Sequence, residues 1–256
     1  MAEIDDPIDF PKVSIVTPVL NGVATIADCL DSVASQDYPH IEHLVVDGAS
    51  TDGTLAILHQ YNVDFTSERD LGLYDAMNKG ISRASGHIIG VLNADDMYAG
   101  PKVVKRMATF MTRNNLDIGH GRVNQIDATG RSIRIIGYDV TKEKLLKKCK
   151  VAHPSVFVTR SVYDKFGVYC VQFSIAADHE FFLRVWDKVN IGFLPEFITT
   201  MRLGGRSNSL VQLSYTESMA ASLLHGADPS KALVNYHYEL TKSAVLRILS
   251  KLSGKV

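Results

Sequence analysis

Two adjacent carboxylates close an apolar run in this chain. Residues 87–98 read His-Ile-Ile-Gly-Val-Leu-Asn-Ala-Asp-Asp-Met-Tyr, so Asp95 and Asp96 stand where a buried strand would end. At roughly 5 Å and an effective dielectric of about 20, their mutual repulsion is on the order of 3 kcal/mol. A bound cation relieves that repulsion, and hard carboxylate oxygens suit Mg²⁺ or Mn²⁺. The bland alternative is a solvated Asp-Asp turn feeding a helix that starts near Pro101. Three more polar loops follow apolar runs: Thr17-Pro18-Val19-Leu20-Asn21-Gly22, Asp47-Gly48-Ala49-Ser50-Thr51-Asp52-Gly53 and Glu68-Arg69-Asp70-Leu71-Gly72. No GxGxxG follows the first run, and no GxxxxGK[ST] occurs anywhere. The loops suit a nucleotide whose base and ribose are held by Asp and Asn side chains. Its diphosphate would be neutralised through a divalent metal.

The elements that must present these loops follow from pattern. Strands are expected at 12–18, 41–47, 63–67 and 87–92, and helices at 25–35, 54–61 and 73–84. Alternation on this scale predicts a doubly wound, mostly parallel α/β sheet with its strand ends on one edge. Ligands of such sheets bind outside that edge. The second half changes character. A hairpin is expected around 127–130, a basic helix at 142–150, a strand at 155–159, a helix at 176–188, and two strands at 191–194 and 197–203. A loop at 204–209 precedes a wholly helical remainder.

Three blocks in this order resemble family 2 inverting glycosyltransferases of the bacterial capsule, exopolysaccharide, O-antigen and glycolipid type. They are Asp47-Gly-Ala-Ser-Thr-Asp-Gly-Thr54, Leu73-Tyr-Asp-Ala-Met-Asn-Lys-Gly80 and Asn93-Ala-Asp-Asp96. The resemblance runs over about 13–209. It implies a GT-A fold with a smaller antiparallel acceptor side and C-terminal helices, a nucleotide-diphosphate-sugar donor (most often a UDP-sugar), and Mn²⁺ or Mg²⁺. The implied catalytic domain is 1–210, its nucleotide-binding half about 12–98 and its acceptor-binding half 99–210, with 211–256 a helical extension. Pro18 and Asn21 would line the nucleotide pocket. Asp47 would contact base or ribose, and Asp52 would support its loop. Arg69, Asp70, Asp75 and Lys79 would lie near base, ribose or phosphate. Asp96 would be the main metal ligand, with Asp95 beside it facing the donor. Asn93 replaces the leading Asp common in the motif, which leaves its own role open.

An inverting transfer needs a base for the acceptor hydroxyl, a contribution of about 10²- to 10⁴-fold. The resemblance places it at Ala176-Ala177-Asp178-His179-Glu180 and implies Asp178, although Ala177 stands where a second carboxylate is usual. Glu180 is the rival, but two residues along a helix turn it about 200° away. His153, in His153-Pro-Ser-Val-Phe157, is placed near acceptor or leaving diphosphate, or is a histidine satisfied by backbone. Arg202 and the loop bearing Arg206 resemble a segment that closes over the diphosphate. Trp186, the sole tryptophan, reads as helix packing. The Gln-x-x-Arg-Trp block of processive relatives is absent, which favours single addition.

On the last segment Arg247, Lys251 and Lys255 recur at spacing four, with Lys242 nearby. That pattern fits either an anionic membrane surface or packing on the domain or on a second subunit in a homodimer. Net charge of −1 gives no reason to expect nucleic acid. Three cysteines without CxxC spacing argue against a disulfide or zinc framework and for a reducing compartment. With no apolar leader or spanning run, a cytoplasmic enzyme is expected, with the inner face of the plasma membrane as a possible site of work. Two rival functions remain open. One is a non-catalytic nucleotide-sugar-binding or scaffold protein. The other is a sugar nucleotidylyltransferase, which should carry a Gly-rich basic loop that 17–22 lacks.

Overall fold

The structure is a computed structural model of the 256-residue chain, and it describes residues 11–203 and 210–252, with side chains to residue 245. Its centre is β1 (Val13–Val19), buried at all seven positions. Such a strand needs both faces covered, as in a parallel sheet flanked by helices. β2 (Ile41–Asp47) and the later β4 (Ile88–Val91) pair with it on either side, and β3 (Asp64–Ser67) pairs with β2, all in parallel. The crossovers run through α1 (Ile26–Ala34), α2 (Thr54–Tyr61) and α3 (Leu73–Arg83). α1 buries Ile26, Cys29, Leu30 and Val33, the stripe expected of a helix seated on a sheet. α3 sits closer still. A Cβ on Gly80 would lie 2.2 Å from Val16 Cγ1, so any side chain there would lift α3 from the sheet.

The sheet then turns mixed. β5 (Asp96–Tyr98), α4 (Val103–Arg113), β6 (Ile118–Ile126) and β7 (Ser132–Ile136) lead to α5 (Lys142–Lys147) and a 3-10 turn at His153–Ser155. β8 (Phe157–Thr159), α6 (Arg160–Phe166), α7 (Ala177–Val185) and β9 (Ile191–Arg202) follow. The order is β3-β2-β1-β4-β8-β6-β9-β5, with β7 paired to β6 in the expected hairpin. β8 is antiparallel to both β4 and β6, which makes it the seam between a parallel half and a mixed half of one continuous sheet. This is the mostly parallel α/β architecture, with a smaller antiparallel portion and C-terminal helices, that the sequence led us to expect.

Three local expectations need correction. Residues 191–194 and 197–203 are one strand, not two. His120 faces Phe193 while Arg122 faces Phe197, so the residues around Pro195 bulge out and the ladder resumes. β5 and α6 were not read from the sequence. Asp96 is not in a plain turn but opens β5, opposite Met201 of β9.

Two further helices, Val211–Leu224 and Pro229–Leu252, pack against each other and onto α5 and α7. Asn235 donates to the Lys147 carbonyl at 2.6 Å, and Lys148 pairs with Glu239 at 2.7 Å. Arg247, Lys251 and Lys255 lie outside the described side chains. No helix among the described residues is long and apolar enough to cross a membrane.

Candidate functional site

The parallel strands deliver their polar loops to one edge, and the carboxylates there are left partly unsatisfied. Asp96 is 1 % exposed. One of its oxygens accepts from Asn93 Nδ2 at 3.1 Å, but among the described residues Oδ1 has no partner, and neither has the buried Asn93 Oδ1. Burial, and then the neighbouring Asp95 charge, push the Asp96 carboxyl well above the usual carboxylate range. Asp95 is raised as well, by burial. Arg202, at the end of β9, fastens this turn by donating to the Asp95 carbonyl at 3.1 Å and to Asp28 at 2.5 Å.

Asp47, at the end of β2, is fully buried. Its Oδ2 accepts from the Ser50 amide at 3.0 Å and the Ser67 hydroxyl at 2.6 Å, while Oδ1 is without a partner among the described residues. The next loop is cross-tied to the first. Asn21, at φ 53°, receives Thr51 N–H at 2.9 Å, and its own N–H donates to Ser50 Oγ at 2.7 Å. Asp52 is exposed and accepts from Val23 N–H, Thr54 N–H and the Thr54 hydroxyl, so it shapes the loop. Those bonds, the Thr54 hydroxyl foremost, lower its carboxyl. Pro18 is not in the turn but buried inside β1, which continues to Val19.

The third loop closes on the second. A Cβ on Gly48 would stand 2.5 Å from Asp70 Oδ2, so glycine there lets the Asp70 carboxylate come against the backbone after Asp47. Asp70 also accepts from Gly72 N–H at 2.9 Å, and Asp75 from Leu71 N–H at 2.9 Å. Lys79 pairs with Glu68 at 2.9 Å and Asp75 at 3.4 Å and donates to the Arg69 carbonyl. The Arg69 side chain is exposed.

α3 ties this edge to the mixed half. The Tyr74 hydroxyl reaches Asp178 Oδ1 at 3.0 Å and the Ile175 carbonyl at 2.8 Å. Burial, then the Asp178 charge, hold its phenol well above the ordinary range, so it stays a donor at neutral pH. The Asn78 amide grips the Tyr169 backbone at both groups, 2.8 and 3.0 Å. The Tyr169 hydroxyl meets His153 Nε2 at 2.9 Å. Burial lowers the His153 imidazole, keeping it neutral. Asp178 thus sits in the first turn of α7, one hydrogen bond from the residue preceding Asp75. Glu180 points elsewhere: it is buried and both its oxygens are engaged, by Arg184 at 2.9 Å and His225 at 3.0 Å, which fits a structural carboxylate. Arg206 lies outside the described residues. Tyr74, Asn78 and the carboxylate of Glu217, which accepts three N–H groups just before α7, were not foreseen.

Among the described residues no group of three or more His, Cys, Asp or Glu could hold a metal by itself. The oxygens of Asp96 and Asp95 still fit a hard cation that takes its remaining ligands from water and phosphate, and the orphaned Asp96 Oδ1 is the atom such a cation would satisfy. A hollow of about 560 Å³ lies elsewhere, with His120, Trp186 and Phe193 in its lining, and none of these candidate residues borders it.

Residues 14–166 match the profile of Glycosyl transferase family 2. An uncharacterized glycosyltransferase of Mycobacterium tuberculosis is 35% identical over 206 residues, 74% of this chain and 76% of its own length. A PGL/p-HBAD biosynthesis glycosyltransferase of Mycobacterium bovis is 29% identical over 224 residues, 83% of this chain and 85% of its own. Among solved structures, residues 1–349 of S. aureus TarS in complex with UDP-GlcNAc superpose with a TM-score of 0.68 at 19% identity, covering 90% of this chain and 71% of that one. A mannosyltransferase from Pyrobaculum calidifontis in complex with GDP-Man and Mn²⁺ gives 0.65 at 17% identity, covering 97% and 81%. At these identities the two structures speak for the fold, which they share with this chain.

Proposed function

The chain belongs to glycosyl transferase family 2, and on that footing we propose that it is a metal-dependent, inverting, single-addition glycosyltransferase. The donor is a nucleotide-diphosphate-sugar, UDP-linked in preference. The acceptor is a hydroxyl on a glycan or lipid-linked glycan of a bacterial surface polysaccharide or glycolipid. The observation that carries the reading is the row of unpartnered oxygens on Asp47, Asn93 and Asp96 along one sheet edge, with Asp178 brought to it by Tyr74. The two structural neighbours hold nucleotide-sugars, one with Mn²⁺, which supports the same donor class.

In this reading Asp47, Asn21 and Asp70 hold base and ribose, Asp75 and Lys79 stand toward the phosphates, and Arg206, outside the described residues, is assigned to the phosphates from its sequence alone. A divalent cation on Asp96 and Asp95 would offset the charge of the departing diphosphate. Tyr74 occupies Asp178 Oδ1, so Oδ2 takes the proton of the acceptor hydroxyl. The acceptor oxygen then bonds to the anomeric carbon from the face opposite the breaking bond to phosphate oxygen, and the configuration inverts. His153, neutral and fixed by Tyr169, faces the acceptor as a hydrogen-bonding group.

The unit 1–210 acts as the catalytic domain, at the cytoplasmic side of the plasma membrane. Val234, Tyr238 and Val245 are exposed beside Lys242 on the last helix, which supports contact with an anionic surface. A panel of UDP-, GDP- and dTDP-sugars, assayed for hydrolysis with Mn²⁺ or Mg²⁺, tests the activity. Turnover that Asp96→Ala and Asp178→Ala both abolish is the expected result. Absence of turnover with every donor, together with retained nucleotide-sugar binding, would instead favour a non-catalytic binder.

A further inference from the structure

We infer that Glu217, on the helix Val211–Leu224, is a positioning residue for the base Asp178, and that this helix therefore belongs to the catalytic centre; the inference rests on the glycosyltransferase reading above. The start of α7 has no local cap, because Ala176 at its N-cap offers no side-chain acceptor. The N–H groups at a helix start still need partners. Glu217 instead holds the N-cap residue and the two residues ahead of it, from some forty residues away. Its Oε1 accepts from Ser174 N–H at 2.9 Å, and its Oε2 from Ile175 N–H at 2.8 Å and Ala176 N–H at 3.0 Å. Bonds from N–H to an ionised carboxylate are roughly twice as strong as neutral ones.

The clamped segment is the one that aims the base. Ile175 gives its N–H to Glu217 and its carbonyl to the Tyr74 hydroxyl, the same hydroxyl that holds Asp178 Oδ1. Asp178 follows three residues after Ile175, in the first turn of α7. Its position is thus fixed from two sides, by α3 through Tyr74 and by the Val211–Leu224 helix through Glu217. At the far end of that helix, His225 on Glu180 sets how it lies along α7. Truncation of Glu217 removes all three bonds from residues 174–176, whereas Gln keeps one neutral acceptor oxygen and turns an NH2 group toward the other N–H, which weakens the clamp that anchors the Tyr74 acceptor. A misplacement of about 1 Å at a reacting group can cost about 10²-fold in rate. Nucleotide binding, which uses the other loops, should not change.

The test compares Glu217→Gln with Glu239→Gln. The second removes the Lys148 ion pair and so loosens the last helix from the end of α5 without touching residues 174–176. Hydrolysis of the most active donor is followed, with kcat expressed per UDP-binding site measured by calorimetry, and amide exchange is read at Ile175 and Ala176. Glu217→Gln is expected to lower kcat by ten- to a hundred-fold, leave donor KM and UDP affinity within about two-fold, and open both amides to exchange. Glu239→Gln is expected to match wild type. Should Glu217→Gln fold poorly, Glu217→Asp keeps the charge on a shorter stem and is expected to give a smaller loss of kcat with the same unchanged KM. Wild-type kcat in both Glu217 variants, or equal losses in Glu217→Gln and Glu239→Gln, would overturn the inference alone. A wild-type protein that hydrolyses no donor would overturn the glycosyltransferase reading, and this inference with it.

Discussion

At the edge where the parallel strands begin, Glu42 is surrounded by donors: Lys12 Nζ at 2.8 Å, the Ser14 hydroxyl at 2.5 Å, and both the amide and hydroxyl of Ser85. At the edge where the same strands end, Asp47 and Asp96 are more deeply buried yet each keeps an oxygen without a partner among the described residues. A buried acceptor left unpaired costs about 1–3 kcal/mol, more when charged. The fold satisfies its acid group at one edge and tolerates unsatisfied ones at the other. The same contrast recurs within α7, where Glu180 is saturated by Arg184 and His225 while Asp178 has the single bond from Tyr74. Saturated carboxylates hold structure together, and underbonded ones are available to a ligand.

The contrast is tested most severely at Asp178. Asp178→Asn is expected to lower kcat by at least about 10²-fold while UDP affinity stays within two-fold, measured by donor hydrolysis and calorimetry. An equal loss in Glu180→Gln would erase the distinction between the two groups. Tyr74→Phe removes one hydrogen bond to a carboxylate, worth about 1.5 kcal/mol, so kcat should fall about ten-fold. Glu180→Gln should instead act on stability, by about 2 kcal/mol in urea unfolding, with kcat per folded molecule unchanged. The cost stays at that size because Arg184 keeps the carbonyls of Phe166 and Val168.

Glu42 gives the smallest effect. Burial opposes its ionisation, but the bonds from Lys12, Ser14 and Ser85 together outweigh it and hold the carboxyl at about 2 rather than 4.5. A depressed carboxyl contributes stability above pH 4.5 that is lost as pH falls through about 2. Glu42→Gln should therefore flatten the loss of stability across that window, read from unfolding midpoints at successive pH values. An unchanged acid slope would mean that the bonds at this edge contribute nothing.

The parallel half was legible because its signals are local. β1, β2 and β4 are short, largely apolar runs ended by a polar loop, and the loops follow from chain order alone. The mixed half was less so. Pro195 reads as a strand breaker, and only the bulge opposite His120 and Arg122 shows how β9 absorbs it. β5 is three residues long and exists because β9 offers it an edge, which no window around Asp96 reveals. Within the site the acidic motifs were visible, whereas their supports were not. Tyr74 meets Asp178 across 104 residues, and Glu217 meets Ile175 across 42. The aromatic and acidic residues concerned look like ordinary helix positions until packing brings them together. Arg206, named from the loop at 204–209, lies outside the described residues and keeps only its sequence rationale.

In the proposed function, the Asp96 oxygen that lacks a partner among the described residues takes a divalent cation shared with a nucleotide diphosphate. Calorimetry of UDP binding with and without Mn²⁺, in wild type and Asp96→Asn, tests it most directly. Wild type should bind UDP at least ten-fold more tightly with Mn²⁺ present, and Asp96→Asn should bind UDP weakly and without regard to the metal. Equal UDP affinity in both proteins, unaffected by Mn²⁺, would contradict the claim.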